Sequence, residues 1–174
     1  RLPPLARSER RGLGNATVRR RDSPLPTRAR PYTSAMSSAF WDQRYSNADL
    51  AYGEAPNEFL VSMADRLPKS GDALDIGAGE GRNALYLASR GLNVLAVDQS
   101  EVGMRKALLR ARDRGLNLHA RAVDLRDFEA EPGSLDVVSS IFVHLPSALR
   151  AAVHRRIAAW LKPGGLFLLE AYAP

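Results

Sequence analysis

The chain has 174 residues, no cysteine and a formal net charge of +6. That length is enough for one domain with a sizeable core, and the missing thiols exclude disulfides, thiolate metal ligands and cysteine nucleophiles. No apolar run of about eighteen residues occurs, so no membrane-spanning helix and no membrane partner are expected.

The charge is unevenly placed. Residues 1–35 hold nine arginines against Glu9 and Asp22, whereas residues 36–174 are close to neutral. The basic balance therefore belongs to the leader, and reading the whole chain as a nucleic-acid binder would average two unlike regions. The leader is rich in proline and shows neither helical nor strand periodicity. It reads as a disordered basic arm for an acidic partner, as an organelle transit peptide without a clear amphipathic face, or as upstream sequence ahead of Met36. The expected organisation is a disordered leader over 1–35 and one domain over 36–174.

From Met36 onward two periods alternate. The segment NEFLVSMADRL places Phe59, Leu60, Met63, Ala64 and Leu67 on one helical face, with Asn57 as cap. Ala73–Ile76 is a short apolar strand ending in glycines. Residues 82–90 predict a helix stopped by Gly91, and NVLAVD over 93–98 a buried strand. Ser100 can cap the next helix, which runs to Gly115. Residues 117–124 and 135–142 give two more strands. The stripe Leu149, Val153, Ile157, Trp160, Leu161 gives a helix ended by a turn at Lys162–Gly165, and residues 166–171 a fifth strand. Strands alternating with helices predict an α/β, doubly wound, Rossmann-like parallel sheet. Right-handed crossovers then bring Asp75, Asp98 and Asp124 to one edge of that sheet, where ligands bind in open α/β folds.

The stretch LDIGAGEGRN carries the chemistry. Gly77, Gly79 and Gly81 permit positive φ and close approach of a ligand to the backbone, while the following helix aims its N-terminus at the same place. A dinucleotide diphosphate could lie there, but Asp75 stands two residues before the first glycine. Two like charges about 4 Å apart at an effective dielectric of about 20 repel by roughly 4 kcal/mol. A guest with a cationic end turns that repulsion into attraction.

D-x-G-x-G-x-G after a first strand resembles motif I of the class I S-adenosylmethionine-dependent methyltransferases. Asp98 after VLAV, Asp124-Leu125 after AV and the LKPGG turn extend the likeness. GRNALYLASRG, FWDQRY and IFVHLP resemble small bacterial enzymes of the tellurite-resistance methyltransferase group. The resemblance covers roughly residues 40–174. It implies S-adenosyl-L-methionine as cofactor, with Asp75, Gly77, Ala78, Gly79 and Gly81 around its methionine part and Arg82 and Asn83 opening the helix beside it. It also implies Asp98 with Gln99 on the ribose, Asp124 and Leu125 at the adenine, and Ile141 against the adenosine. Asp124 could instead cap a turn onto Arg126, and Asn83 could instead bond a first-turn amide.

Phe40, Trp41, Tyr45 and Tyr52 could form a lid or simply pack on the sheet edge. His144 follows the fourth strand and is a candidate base for a protic acceptor. His119, His144 and His154 sit at no metal-ligand spacing, so no metal is expected. The family's full fold has seven strands, the last two an antiparallel hairpin, and five are legible here. A chain truncated at its C-terminus is the expectation, with an unpaired apolar edge on the fifth strand. The expected function is methyl transfer to a small-molecule acceptor in the cytoplasm, without nucleic-acid partners. The rival readings are a nicotinamide-dependent oxidoreductase and a non-catalytic module that binds the same cofactor.

Overall fold

The computed structural model describes residues 16–21 and 37–172. In chain order the elements are β1 (Ala16–Arg21), α1 (Ser38–Tyr45), α2 (Glu58–Ser62), a single 3-10 turn (Ala64–Arg66), β2 (Asp72–Ile76), α3 (Arg82–Ser89) and β3 (Asn93–Asp98). Then come α4 (Glu101–Asp113), β4 (Leu118–Ala122), β5 (Leu135–Ile141), α5 (Ser147–Trp160) and β6 (Leu161–Tyr172). The sheet order is β1-β6-β5-β2-β3-β4, and every pairing is parallel. From β2 the chain winds outward through β3 and β4, then returns to the other side of β2 with β5 and β6. The order thus reverses between β2 and β5, which puts the ligand-binding crevice at the carboxyl ends of those strands.

Period-2 alternation along the strands divides the core into two layers. Ala73, Val94, Ala96, Val137 and Leu168 pack under α2, α3 and α4 through Leu60, Leu85 and Ala107. Leu74, Ile76, Val97, Val138 and Phe167 face the opposite way, against α5 through Val153, Ile157 and Trp160. Strands buried on both faces must be apolar throughout, which is why the polar residues within them, Asp75, Ser139, Ser140 and Glu170, are informative.

Four local expectations are corrected. The predicted helix over 57–67 keeps its cap, with the Asn57 side chain accepting from the Leu60 amide, but it divides into α2 and a 3-10 turn. Leu67 is extended because it precedes Pro68, and that restriction ends the helical path early. Residues 38–45 form a helix of their own, capped by Ser37. The Lys162–Gly165 turn lies inside β6: Leu135 pairs with Leu161 and Val137 with Leu166, so the intervening residues bulge out of the ladder.

The last correction concerns the leader. Residues 16–21, read from sequence as part of a disordered arm, form β1 and pair with β6 from Ala16–Phe167 to Arg21–Tyr172. The expected unpaired edge of β6 is therefore covered over that register. Main-chain pairing carries no side-chain code, and edge strands tolerate charge, so an arginine-rich strand leaves no apolar alternation to read. The remainder of the leader lies outside the described residues. Among the described residues, no helix is long and apolar enough to cross a membrane.

Candidate functional site

The glycine turn joins β2 to α3, with φ of +63° at Gly77, +55° at Gly79 and +80° at Gly81. All three positions also leave no room for a side chain, Gly81 because a Cβ there would stand 2.7 Å from Ala107 Cβ. A Cβ on Gly77 would stand 2.7 Å from Val143 Cγ2, and one on Gly79 would stand 2.7 Å from the Tyr45 hydroxyl. The turn is thus roofed by α1 on one side and by the segment after β5 on the other. The Ala78 amide donates to the Val97 carbonyl at 3.1 Å, which ties the turn to β3.

Asp75 is 1% exposed, beneath this turn. Its Oδ1 accepts from Ser139 Oγ at 2.6 Å across the β2–β5 pairing, and its Oδ2 is buried without a hydrogen-bond partner. Burial pushes its pKa up to about 7, opposed by the Ser139 hydroxyl, the Ala84 amide and the Arg82 charge. The carboxylate is therefore interior rather than lining an open crevice, as the sequence reading had it. The Oδ2 atom is thus a buried acceptor with an unmet hydrogen bond.

Asp98 closes β3 and is also buried. Its Oδ2 accepts from the Gly79 amide and its Oδ1 from the Ser100 amide, both at 2.9 Å. Burial raises its pKa as well. Asp98 thereby shapes the glycine turn and the start of α4. Asp124, after β4, is different. Arg126 donates to it twice, from its amide at 2.8 Å and its guanidinium at 2.6 Å. The Arg126 hydrogen bond holds the Asp124 pKa below its ordinary value. The turn-capping alternative is what the structure displays. Asp124, Arg126, Gln99, Asp42 and Glu101 line a cavity of about 450 Å³ at the carboxyl ends of β3 and β4.

The other named residues divide. Asn83 bonds neither a first-turn amide nor open solvent: it is buried, and its Oδ1 accepts from the Asn57 amide at 2.9 Å. Arg82 reaches the Tyr52 carbonyl at 3.2 Å and stands over the Tyr52 ring. Leu125 and Ile141 are core residues, in the α5 layer and the α3 layer respectively, and Leu125 offers its carbonyl to Arg156. Tyr45 is buried and stacks on Trp41, whereas Phe40 and Tyr52 are exposed, so only part of the aromatic lead-in covers the turn. Burial raises the Tyr45 pKa, keeping its hydroxyl protonated.

Several residues that organise the site escape a sequence reading. Glu80, inside the glycine turn, accepts from the Ala51 amide at 2.7 Å and from Lys106 at 2.8 Å. Asp42 accepts from Ser100 Oγ at 2.6 Å and from the Val102 amide at 3.0 Å, so α1 is docked on the N-terminus of α4. Glu170, 0% exposed at the end of β6, accepts from Asn57 Nδ2 at 2.7 Å. The pairings of Glu80 and Asp42 span tens of residues and leave no local mark. Ser139 and Glu170 do leave one, as polar residues in otherwise apolar strands.

A parallel sheet with its crevice at the switch point, a glycine turn opening a helix, and buried acids at two successive strand ends define a Rossmann-like nucleotide-binding domain. Residues 73–165 match the model of a methyltransferase domain family. The chain belongs to that family, among the class I S-adenosylmethionine-dependent enzymes.

Among its relatives is the 2-heptyl-1-hydroxyquinolin-4(1H)-one methyltransferase of Mycobacteroides abscessus, 28% identical over 66% of this chain and 52% of the relative. A ubiquinone biosynthesis O-methyltransferase of Xanthomonas campestris pv. campestris is 33% identical over 79% of this chain and 57% of its own length. The chain thus spans about half the length of the curated relatives it matches. In fold it is similar to phosphoethanolamine N-methyltransferase 1 of Haemonchus contortus, solved with phosphoethanolamine and S-adenosylhomocysteine, at a TM-score of 0.64. That match is 24% identical and covers 76% of this chain and 31% of the other. The narrower likeness to tellurite-resistance enzymes is not carried by these relatives.

Proposed function

We propose that the chain binds S-adenosylmethionine along the carboxyl ends of β2, β3 and β4, and presents it to a small-molecule acceptor at the ends of β5 and β6. The observation that carries this reading is the buried, half-satisfied carboxylate of Asp75 beneath a glycine turn. Such a group costs stability unless a cation completes it. The names of the relatives, methyltransferases of a hydroxyquinolone and of ubiquinone biosynthesis, point the same way.

In this reading Asp75 Oδ2 accepts from the ammonium of the cofactor, and the positive N-terminal end of α3 stands toward its carboxylate. Asp98, at the end of β3, stands where the ribose hydroxyls would lie, and the cavity beside Gln99 and Asp124 suits the base. Bound there, the cofactor would supply an electrophilic methyl carbon on a positively charged sulfur. The chain's own contribution is positioning, which can supply up to about 7–11 kcal/mol when both reactants are held in line. Tyr45, against Gly79, covers the turn from the α1 side.

Calorimetry with S-adenosylhomocysteine and with NAD tests the proposal. Binding of the first and not the second is expected. Tight NAD binding without S-adenosylhomocysteine binding would favour the oxidoreductase reading.

A further inference from the structure

The end of α4 concentrates positive charge that the cofactor reading leaves unused. Arg110 lies in its last turn and Arg114 caps it. Arg110 donates from Nη1 to the Glu80 carbonyl, while its Nη2 is buried without a hydrogen-bond partner. Burial, and then the neighbouring charge of Arg114, hold the Arg110 pKa below its ordinary value. The Glu80 carboxylate is itself engaged by the Ala51 amide and by Lys106. The acid paired with Arg114 is Glu54, at 3.4 Å and with its side chain 75% exposed. A solvated pair of that kind contributes little and is readily exchanged.

Arg114 and Glu54 line a groove of about 290 Å³ on the outer side of α3. Arg82, Leu85 and Tyr86, at the spacing of one helical face, form its α3 wall, and Pro56 and Leu116 complete the apolar part. Arg82 adds a second guanidinium, whose hydrogen bond to the Tyr52 carbonyl is exposed to solvent. Two arginines and one solvated carboxylate thus border an apolar cleft, and the balance of charge favours an anion. A planar guanidinium matches a carboxylate in shape as well as in charge. Glu54 shows that match on Arg114 within the chain itself.

We propose that this groove binds a small amphipathic carboxylate, its head on Arg114 and Arg82 and its tail along Leu85, Tyr86 and Leu116. The incoming head takes the place of Glu54 on Arg114, and Glu54 moves into solvent. The proposal stands or falls independently of the cofactor reading, because Arg114, Tyr86 and Leu116 have no part in it.

The test is calorimetric titration of the full chain with octanoate, 1-octanol and acetate. Octanoate should bind about tenfold more tightly than 1-octanol, which has the same tail and no charge. Acetate, which has the head and no tail, should bind about a hundredfold more weakly than octanoate. Arg114→Gln should weaken octanoate by a factor of about five to ten and leave 1-octanol unchanged. Glu54→Gln removes the competing acid and should tighten octanoate by a factor of about two to five. Both side chains are partly exposed, so neither substitution disturbs the core. No octanoate binding at millimolar concentration, or equal affinity for octanoate and 1-octanol, would overturn the proposal. So would an Arg114→Gln protein that binds octanoate like the parent, or a Glu54→Gln protein that binds it no more tightly.

Discussion

Asp75 and Asp124 occupy equivalent places, each at or near the carboxyl end of a parallel strand on the same edge of the sheet, yet their surroundings differ. Asp75 is interior, raised to about 7, and keeps one oxygen without a donor. Asp124 is partly open to solvent, lowered, and engaged by Arg126 from its own turn. The first carboxylate is buried with an unmet hydrogen bond, while the second is already satisfied. A strand-end acid is thus informative about a ligand in proportion to its burial and its unmet hydrogen bonds, and its position alone says less.

The largest effect that would sharpen this contrast is in stability. Asp75 has its folded pKa raised above its unfolded value, so its contribution is fully present below about pH 4 and is lost as pH rises through about 7. At about 1.36 kcal/mol per pH unit, the ligand-free protein should lose on the order of 4 kcal/mol of stability across that window from this group. Denaturant unfolding followed against pH should show the fall in the parent chain and a flatter profile in Asp75→Asn.

Next comes the contact between the two halves of the crevice. Gly77→Ala combines a positive φ with a Cβ driven onto Val143, and should cost roughly 2–4 kcal/mol in thermal or denaturant unfolding. A cost near zero would mean that the segment after β5 does not rest on the glycine turn. Glu80→Gln weakens the ion pair with Lys106, whose partner oxygen is buried, and loosens the hold on Ala51. The expected loss is about 1–3 kcal/mol, with faster proteolytic cutting in residues 46–54 than in the parent. Asp124→Asn should be the mildest change, within about 1 kcal/mol, because its partner Arg126 is exposed and the pair is screened. A large loss there would remove the distinction between the two acids.

Much of the fold was open to the sequence because buried parallel strands are apolar runs, and helices between them carry capping residues. Asn57 and Ser100 cap α2 and α4 as expected, and β2, β3 and β5 fall within one or two residues of their predicted limits. β1 was hidden because backbone pairing of an arginine-rich edge strand needs no apolar pattern. The site was legible in outline and not in detail. Residue type and order place Asp75, Asp98 and the glycines together, but whether an acid faces solvent or lies under a helix depends on neighbours such as Ser139, 64 residues away. For the same reason the sequence did not show that the Asn83 side chain accepts from the Asn57 amide or that Ile141 joins the core, and the strained turn at Phe142 has no glycine to announce it.

The central claim is that Asp75 waits for a cation, and it is most directly tested by titrating the parent chain with S-adenosylhomocysteine calorimetrically from about pH 5.5 to 8.5. Docking of the ammonium should draw a proton from Asp75 wherever it is still protonated. Affinity should therefore rise by up to about tenfold per pH unit until about pH 7 and then level off, with close to one proton released per binding event on the acid side and almost none at pH 8. An affinity and proton balance in the parent chain identical to those of Asp75→Asn across that range would contradict the account.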